Sequence, residues 1–136
     1  MKFKGKIDKW WYLVTLFINF CLIIIWVTSS NAASWKLYLP LIILLDLFLI
    51  PPVFHNEITV TNELVIIDFG FFKRNIPIVD IVSLRHSTNK YSIISATFDN
   101  VGIITKLMGE IRVGVVDQKG FVTELKKHKK KMPYYL

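Results

Sequence analysis

Cysteine is scarce among the 136 residues of this chain, because Cys21 is the only one. A single cysteine cannot form an intramolecular disulfide. Together with three scattered histidines, His55, His86 and His128, it also makes no set of zinc ligands with a recognisable spacing. Since Cys21 lies inside a long apolar run, we interpret it as a small apolar residue of a membrane helix, with lipidation as the alternative.

Acidic residues and glycines are also few, and their positions exclude most catalytic machinery. The ten Asp and Glu residues are scattered singly, so no pair of carboxylates is available for acid–base catalysis. The six glycines are isolated and make no phosphate-binding loop between a strand and a helix. His86 has serines nearby in sequence, but a nearby serine alone makes no catalytic triad. We therefore predict that the protein is not an enzyme and has no catalytic, cofactor or metal site.

Positive charge, in contrast, is abundant and clustered. Seventeen Lys and Arg residues give the chain a net charge of +7. Basic clusters on a hydrophobic chain favour the anionic inner surface of a membrane, so we predict a membrane-surface role for two groups of lysines. They are Lys2, Lys4, Lys6 and Lys9 near the start, and Lys126, Lys127, Lys129, Lys130 and Lys131 near the end. No nucleic-acid motif accompanies these lysines, so we predict no nucleic-acid partner.

The first long apolar run, residues 10–27, has the length and the ends of a membrane helix. Its eighteen residues carry no charge and would span about 27 Å as a helix, close to the hydrocarbon thickness of a bilayer. Trp10 and Trp11 at one end and Trp26 at the other match the aromatic belts of membrane proteins. A cleaved signal peptide is the alternative, but the run is longer than usual and a second apolar run follows at once.

The second apolar run, residues 35–54, contains an acid. Asp46 in mid-helix costs about 2.5–3.5 kcal/mol, whereas the eleven Leu, Ile and Phe residues around it contribute roughly 3–7 kcal/mol in favour of insertion. The balance favours a second crossing. We expect Pro40 to lie in the first turn of this helix, and Pro51 with Pro52 to end it.

Two adjacent crossings predict a helical hairpin in which two polar side chains meet. Asn19 lies nine residues after Trp10, and Asp46 lies eight residues before Phe54, so both are about 12–14 Å from the same side of the membrane. We therefore predict a hydrogen bond between Asn19 and Asp46. The alternative is that Asp46 faces water or a partner protein, which would make it a functional residue.

The distribution of lysines predicts the orientation. Four precede the first run and few lie between the two runs, so the positive-inside rule puts both termini in the cytoplasm. A single span with a cytoplasmic C-terminal domain is the alternative. We thus divide the chain into a membrane anchor, residues 1–54, and a cytoplasmic domain, residues 55–136.

The second part has the period-two alternation of β-strands. Strands are predicted around Ile58–Val60 and over 64–69, 71–76, 93–98 and 110–116. Asp117 is a suitable N-cap for an amphipathic helix over about 118–130, whose apolar stripe is Phe121, Val122 and Leu125. The predicted fold is therefore a two-helix transmembrane hairpin followed by a small antiparallel β-domain that a C-terminal amphipathic helix closes.

Three stretches carry a family resemblance: "MKFKGKIDKWW" at the start, "LVIIDFGFFKRNIPIVDIVSLRHSTN" (64–89) and "EIRVGVVDQKGFVTELKKH" (110–128). They resemble the small bacterial pleckstrin-homology-like (PH-like) domains of the YyaB type, which follow two N-terminal membrane helices. Residues 90–109 depart from the family pattern. Some pleckstrin-homology domains bind lipid head groups, so the resemblance makes Lys73, Arg74 and Arg85 candidates for contact with a head group or a partner.

Within this family the layout is most similar to membrane proteins that protect a producer cell from its own antimicrobial peptide, such as sublancin. The resemblance implies a bacteriocin immunity protein that acts at the cell membrane by binding or shielding. Its partners would be the lipid bilayer and either the antimicrobial peptide or the membrane-protein target of that peptide. The alternative is a membrane-anchored scaffold or adaptor that recruits a protein or anionic lipid.

Overall fold

The computed structural model describes residues 1–29, 35–87, 95–129 and 132–135. In chain order its elements are β1 Lys2–Lys4, α1 Lys9–Thr28, α2 Trp35–Leu49, α3 Pro51–Phe54, β2 Asn56–Val60, β3 Leu64–Phe69, β4 Phe72–Pro77, a 3-10 turn Ile78–Asp80, β5 Ile81–Ser87, β6 Asn100–Thr105, β7 Gly109–Val113, α4 Gln118–His128 and β8 Tyr134–Tyr135. Two apolar helices thus precede an antiparallel sheet domain with a closing helix, which confirms the predicted fold class.

The helical hairpin consists of α1 on one side and α2 with α3 on the other. Its first helix has 20 residues and a mean hydropathy of 2.1, and the stretch Lys36–Phe54 has a mean hydropathy of 2.2. Both are long and apolar enough to cross a membrane. No residue of α1 is buried, so its packing differs from that of a core helix in a soluble domain.

Prolines shape the second arm differently from the prediction. Pro40 lies inside α2, in its sixth position, and not in the first turn. Helix α2 ends at Leu49. The N–H of Ile50 still donates to the carbonyl of Asp46 at 2.9 Å, but Pro51 has no N–H with which to continue the helix. Pro51 then begins the short α3, where a missing N–H costs nothing.

The first sheet has the strand order β1-β2-β3-β4, and all its pairs are antiparallel. The unexpected member is β1, in which Phe3 lies opposite Ile58 of β2. The predicted division had assigned residues 1–9 to the membrane anchor. The structure differs because Lys2–Lys4 belongs to the sheet, so the hairpin is inserted between two neighbouring strands.

The second sheet has the order β7-β6-β5-β8. Strands β5, β6 and β7 are antiparallel, whereas the short β8 runs parallel to β5, with Tyr134 opposite Leu84. A bridge between Gly5 and Val115 joins the two sheets beside β1. A Cβ atom at Gly5 would occupy the space of the Asn56 side chain, which would then have to move.

The core lies between the sheets and α4. Phe121, Val122 and Leu125 are buried as the predicted stripe, and Phe121 meets Phe3 edge to face with ring centroids 5.4 Å apart. The predicted cap is confirmed, because the Asp117 carboxylate accepts the N–H of Gly120 at 2.9 Å. Helix α4 ends at His128, slightly before the predicted end.

Two predicted strands differ from the structure. For 93–98, residues 93–94 lie outside the described residues, and from 95 to 98 only Ala96 forms an isolated bridge, to Ile7. The reason is that this segment binds the start of α1 instead of a neighbouring strand. For 110–116, β7 ends at Val113, and Val115 instead bridges to Gly5.

Candidate functional site

Both ends of the helical hairpin meet the sheet domain at one end, which we call the proximal end. There α1 begins after Asp8 and α3 leads directly into β2. Strand β4 also begins at this end, because Phe72 packs against Phe48 of α2 with ring centroids 5.8 Å apart. The distal end holds the β2–β3 turn and the 3-10 turn, where the N–H of Ile78 donates to the carbonyl of Glu63 at 2.8 Å.

Aromatic side chains fasten the hairpin to the proximal end. Trp10 stacks on Phe98 at 4.9 Å, and Trp11 meets Phe69 edge to face at 6.1 Å between ring centroids. The indole Nε1 of Trp11 also donates to the carbonyl of Leu49 in α2 at 3.0 Å. With Phe48 and Phe72 these contacts form an aromatic junction that holds both arms of the hairpin against the sheet domain. Such aromatics are typical of a membrane interface.

Asp8 connects α1 to the segment before β6. Its backbone N–H donates to the carbonyl of Ala96 at 3.0 Å. Its carboxylate accepts the hydroxyl of Thr97 at 2.7 Å and the N–H of Phe98 at 3.1 Å. Asp8 is the N-cap residue of α1, yet its side chain makes no capping bond, so it serves this tertiary contact. The sequence shows only an acid before two tryptophans and does not indicate its partners.

A charged cluster lies next to Asp8. The Lys6 ammonium donates to the Asp99 carboxylate at 2.8 Å, and His86 Nε2 lies 3.6 Å from the other oxygen of Asp99. The hydrogen bond from Lys6 lowers the pKa of Asp99, and the same bond raises the pKa of Lys6. Lys6 is therefore committed to an ion pair within the protein, whereas the sequence suggested a lipid contact.

The hairpin contains the predicted polar contact. Asn19 Nδ2 donates to Asp46 Oδ1 at 2.8 Å and to the carbonyl of Thr15 at 3.0 Å. Both side chains are partly buried against each other. The amide thereby satisfies both of its donors, which matters because an unpaired polar group in hydrocarbon is costly.

The remaining lysines of the first group are exposed near β1 and the start of α1. Lys2 lies 3.4 Å from the Glu57 carboxylate, an exposed pair that contributes little to stability. Lys4 lies opposite Glu57 in the ladder, and Lys9 is the first residue of α1 at the proximal end. Of these, Lys9 is the nearest to the hairpin.

The lysines at the end of α4 lie near the distal end of the sheet domain, away from the hairpin. The amide of Gln118 at the start of α4 donates to the carbonyl of Asp99 near the proximal end, at 3.2 Å. After the last turn of α4, the Lys129 ammonium donates to the carbonyls of Val79 and Ile81, at 3.1 and 2.5 Å, near the distal end. The eleven residues of α4 thus run about 16 Å away from the hairpin.

The lysines at the end of α4 are also partly engaged. Lys126 lies 5.8 Å from the ring centroid of Tyr134, and Lys127 pairs with Glu124 at 2.7 Å. Lys130 and Lys131 lie outside the described residues. Because α4 packs lengthwise on the sheets, Lys126, Lys127 and Lys129 lie at the end opposite the hairpin.

The three basic candidates for partner contact do not form one pocket. Lys73 and Arg74 are exposed neighbours on β4, and Lys73 lies 3.6 Å from Asp68. Arg85 lies in the other sheet, on β5. There it belongs to a separate charged group with Glu110 and Arg112 of β7. The pKa of Glu110 is lowered first by the hydrogen bond from Arg112 and also by the charge of Arg85.

An open cleft of about 490 Å³ lies between α4 and the end of β5. Its lining includes His86, Lys119 and Tyr134. Among the described residues, no group of three or more His, Cys, Asp or Glu side chains could hold a metal ion.

Comparison with known families identifies the sheet domain. The family model described as "Bacterial PH domain" matches residues 58–129, from within β2 to just beyond α4, which is 72 of the 136 residues. PH-like domains are generally non-catalytic binding modules. No curated protein and no solved structure matches the chain significantly. Strand β1 and the hairpin lie outside the matched range, but the β1–β2 pairing and the aromatic junction join them to it. The chain belongs to the bacterial PH domain family.

Proposed function

We propose that this protein is a membrane-anchored binding protein, in which the helical hairpin crosses the cytoplasmic membrane twice and holds the PH-like domain at the inner surface. The observation that carries the proposal is the pairing of β1 with β2 across the hairpin. Two strands of one sheet have to lie on the same side of a membrane. The chain between them therefore has to return to the side from which it leaves.

This pairing also favours the two-span arrangement over a single span. With one span, Phe3 and Ile58 would lie on opposite sides of the membrane, and the β1–β2 ladder could not form. The lysines before α1 support a cytoplasmic location for both termini, since positive charge is retained on that side. The exposed apolar surfaces of α1 and α2 would face lipid.

For the specific role, we propose immunity of a producer cell to its own antimicrobial peptide. The resemblance in layout to immunity proteins of the sublancin type suggests it. The family class supports an action by binding without turnover. The protein would intercept the peptide at the inner membrane surface or shield the membrane protein that the peptide attacks.

Survival of sensitive cells tests this role. The full chain is expressed in a susceptible bacterium, and membrane levels are verified with an epitope tag. We expect the expressing cells to survive a sublancin-type peptide at concentrations that kill the empty-vector control. Unchanged killing by a broad panel of such peptides, at normal membrane levels, would contradict immunity.

A scaffold or adaptor is the second candidate function. It is favoured by the exposed basic pair Lys73 and Arg74 on an edge strand, which a partner could reach. Crosslinking in cells that make no antimicrobial peptide separates the two roles. A specific protein captured there, together with unchanged peptide killing, would support the adaptor.

A further inference from the structure

We propose that the two arms of the helical hairpin control the closure of the PH-like domain. Each arm is attached to a different sheet, and β1 lies in the gap between the two sheets. Spreading the arms apart in the bilayer would release β1 and open the core at the proximal end. The inference rests on the proposed insertion of the hairpin, and it adds a path by which an event within the membrane reaches the cytoplasmic domain.

The first arm is attached to the segment that leads into the second sheet. Trp10 of α1 stacks on Phe98 with ring centroids 4.9 Å apart, and Phe98 lies two residues before β6. The N–H of Asp8 donates to the carbonyl of Ala96 at 3.0 Å, and the Asp8 carboxylate accepts the N–H of Phe98. A movement of α1 at its proximal end would therefore displace the start of β6.

The second arm is attached to the first sheet. Phe48 of α2 meets Phe72 at the start of β4 edge to face, with ring centroids 5.8 Å apart. A single residue, His55, separates α3 from β2, and its carbonyl accepts the N–H of Gly70 in the β3–β4 turn at 2.6 Å. Gly70 has φ of +60°, and a Cβ atom there would come within 2.9 Å of the Pro52 ring, so this turn packs closely on α3.

Two polar contacts hold the arms together. At the proximal end, the indole Nε1 of Trp11 donates to the carbonyl of Leu49 at 3.0 Å, and the Trp11 ring also touches Phe69 of the first sheet. Farther along the hairpin, Asn19 donates to Asp46 at 2.8 Å. Spreading the arms would have to break these contacts, so they keep the hairpin closed in the resting state.

Strand β1 joins the two sheets. On one side it pairs with β2, and Phe3 carries its buried ring into the core. On the other side it bonds to the chain just after β7. There the N–H of Val116 donates to the carbonyl of Lys4 at 3.1 Å, and the N–H of Lys6 donates to the carbonyl of Gly114 at 3.0 Å. Without β1 the gap between the sheets would be open.

The connections between the arms and the strands leave no slack. Strand β1 and α1 are separated by only four residues, 5–8. The N–H of Gly5 donates to the carbonyl of Asn56 at 2.7 Å, and Ile7 forms a bridge with Ala96. A packed core does not deform continuously. Spreading of the arms is therefore expected to release β1 as a unit.

Hydrogen exchange of the full chain in lipid nanodiscs tests the coupling, because exchange reports local opening. Asn19→Leu removes a contact between the arms within the hairpin. We expect exchange at two reporter amides, those of Gly5 and Val116, to rise about threefold to twentyfold, the factor that one hydrogen bond between membrane helices provides. The amide of Leu84, which donates to the carbonyl of Pro133 beside β8, should keep its rate.

Two variants serve as controls. Asp46→Asn keeps an acceptor for Asn19 and should leave both reporter amides close to the parent rate. Thr28→Val removes a hydroxyl that bonds only within α1 and should change neither of them. Unchanged exchange at the reporter amides in Asn19→Leu would overturn the proposal. An equal rise at Leu84 would also overturn it, because it would indicate a global loss of stability.

The coupling has to act in both directions, since a coupling free energy is reciprocal. In a Cys21→Ser background, spin labels at Phe17→Cys of α1 and Leu44→Cys of α2 measure the distance between the arms at two lipid-facing positions, 67% and 68% exposed. Phe3→Ala weakens β1 and should lengthen or broaden this distance, whereas Lys2→Ala on the same strand should not. An unchanged distance in folded Phe3→Ala would contradict the coupling.

The coupling and the proposed immunity function fail in different ways. Full protection of cells with unchanged reporter amides in Asn19→Leu would refute only the coupling. Coupled exchange in a chain that gives cells no protection would refute only immunity. A hairpin that does not insert would show as a spin label at position 17 that is accessible to a water-soluble relaxation agent, and it would overturn both.

Discussion

Phe3 lies opposite Ile58 in the β1–β2 ladder, and its ring also meets Phe121 of α4 edge to face. Phe3, which precedes the hairpin in the chain, thus belongs to the core of the sheet domain, whose other residues all follow the hairpin. Both arms of the hairpin are fixed to the sheet domain by backbone hydrogen bonds and by aromatic contacts. A domain attached in this way cannot swing freely relative to the hairpin, as a domain on a single flexible linker could.

The first prediction concerns this anchoring residue. Phe3→Ala should lower the free energy of unfolding by about 3–5 kcal/mol, because it removes a buried ring and leaves a cavity beside Phe121. The measurement is denaturant unfolding of the full chain in micelles. Its neighbour Lys2 is exposed on the same strand, so Lys2→Ala is the control and should change stability by less than about 0.5 kcal/mol. Equal effects would mean that β1 is not part of the core.

The second prediction concerns the polar contact within the hairpin. A double-mutant cycle with Asn19→Leu and Asp46→Leu should give a coupling free energy of about 0.6–1.7 kcal/mol, the range for hydrogen bonds between membrane helices. Unfolding in micelles measures all four proteins of the cycle. Thr28→Val removes a hydroxyl that bonds only within α1, and it should show no coupling to Asp46. Zero coupling for Asn19 would contradict the contact.

Local patterns made much of this fold predictable. The rise of a helix is constant, so counting residues from the same membrane side was enough to match Asn19 with Asp46. The alternation of Ile58 and Val60 with threonines indicated β2, and the buried stripe of α4 followed from its spacing. Asp117 was recognisable as an N-cap because it directly precedes the amphipathic segment that begins at Gln118.

Contacts between distant segments were not predictable in the same way. Strand β1 has only three residues, and Phe3 is its only apolar one, so no local pattern separates it from a basic leader. The sequence placed Lys6 and Lys129 among the membrane-surface lysines, because their partners, Asp99 and the carbonyls after β4, lie far away in sequence. A charge pattern shows how many basic groups exist but not which of them are already paired.

The third prediction concerns the connection between α1 and the segment before β6. Asp8→Ala should increase hydrogen exchange at the amide of Phe98 by about tenfold to a hundredfold, because a carboxylate acceptor contributes about 1.5–3 kcal/mol. The amide of Ile103 in the middle of the second sheet should keep its protection. Asp8→Asn retains an acceptor oxygen and should have a smaller effect. Equal exchange in the parent and in Asp8→Ala would show that the carboxylate does not hold this segment.

The fourth prediction is a loss of stability in acid through Asp99. Its pKa is lowered in the folded state by the hydrogen bond from Lys6, so the folded protein binds a proton there less readily than the unfolded chain does. The stabilisation is therefore present above the ordinary pKa of 3.8 and is lost as the pH falls through the lower folded value. The free energy of unfolding should fall between about pH 5 and pH 2, and Asp99→Asn should make this decline shallower.

Two comparisons separate this pair from the other acids. Lys6→Met should flatten the same part of the pH profile as Asp99→Asn, because either change removes the pair. Glu124 also has a lowered pKa, from its hydrogen bond with Lys127, but this pair joins residues three apart on one helix, where such a contact contributes little to stability. Glu124→Gln should therefore leave the acid profile close to that of the parent. If Asp99→Asn and Glu124→Gln flattened the profile equally, the Lys6–Asp99 pair would have no special part in fastening α1 to the sheet domain.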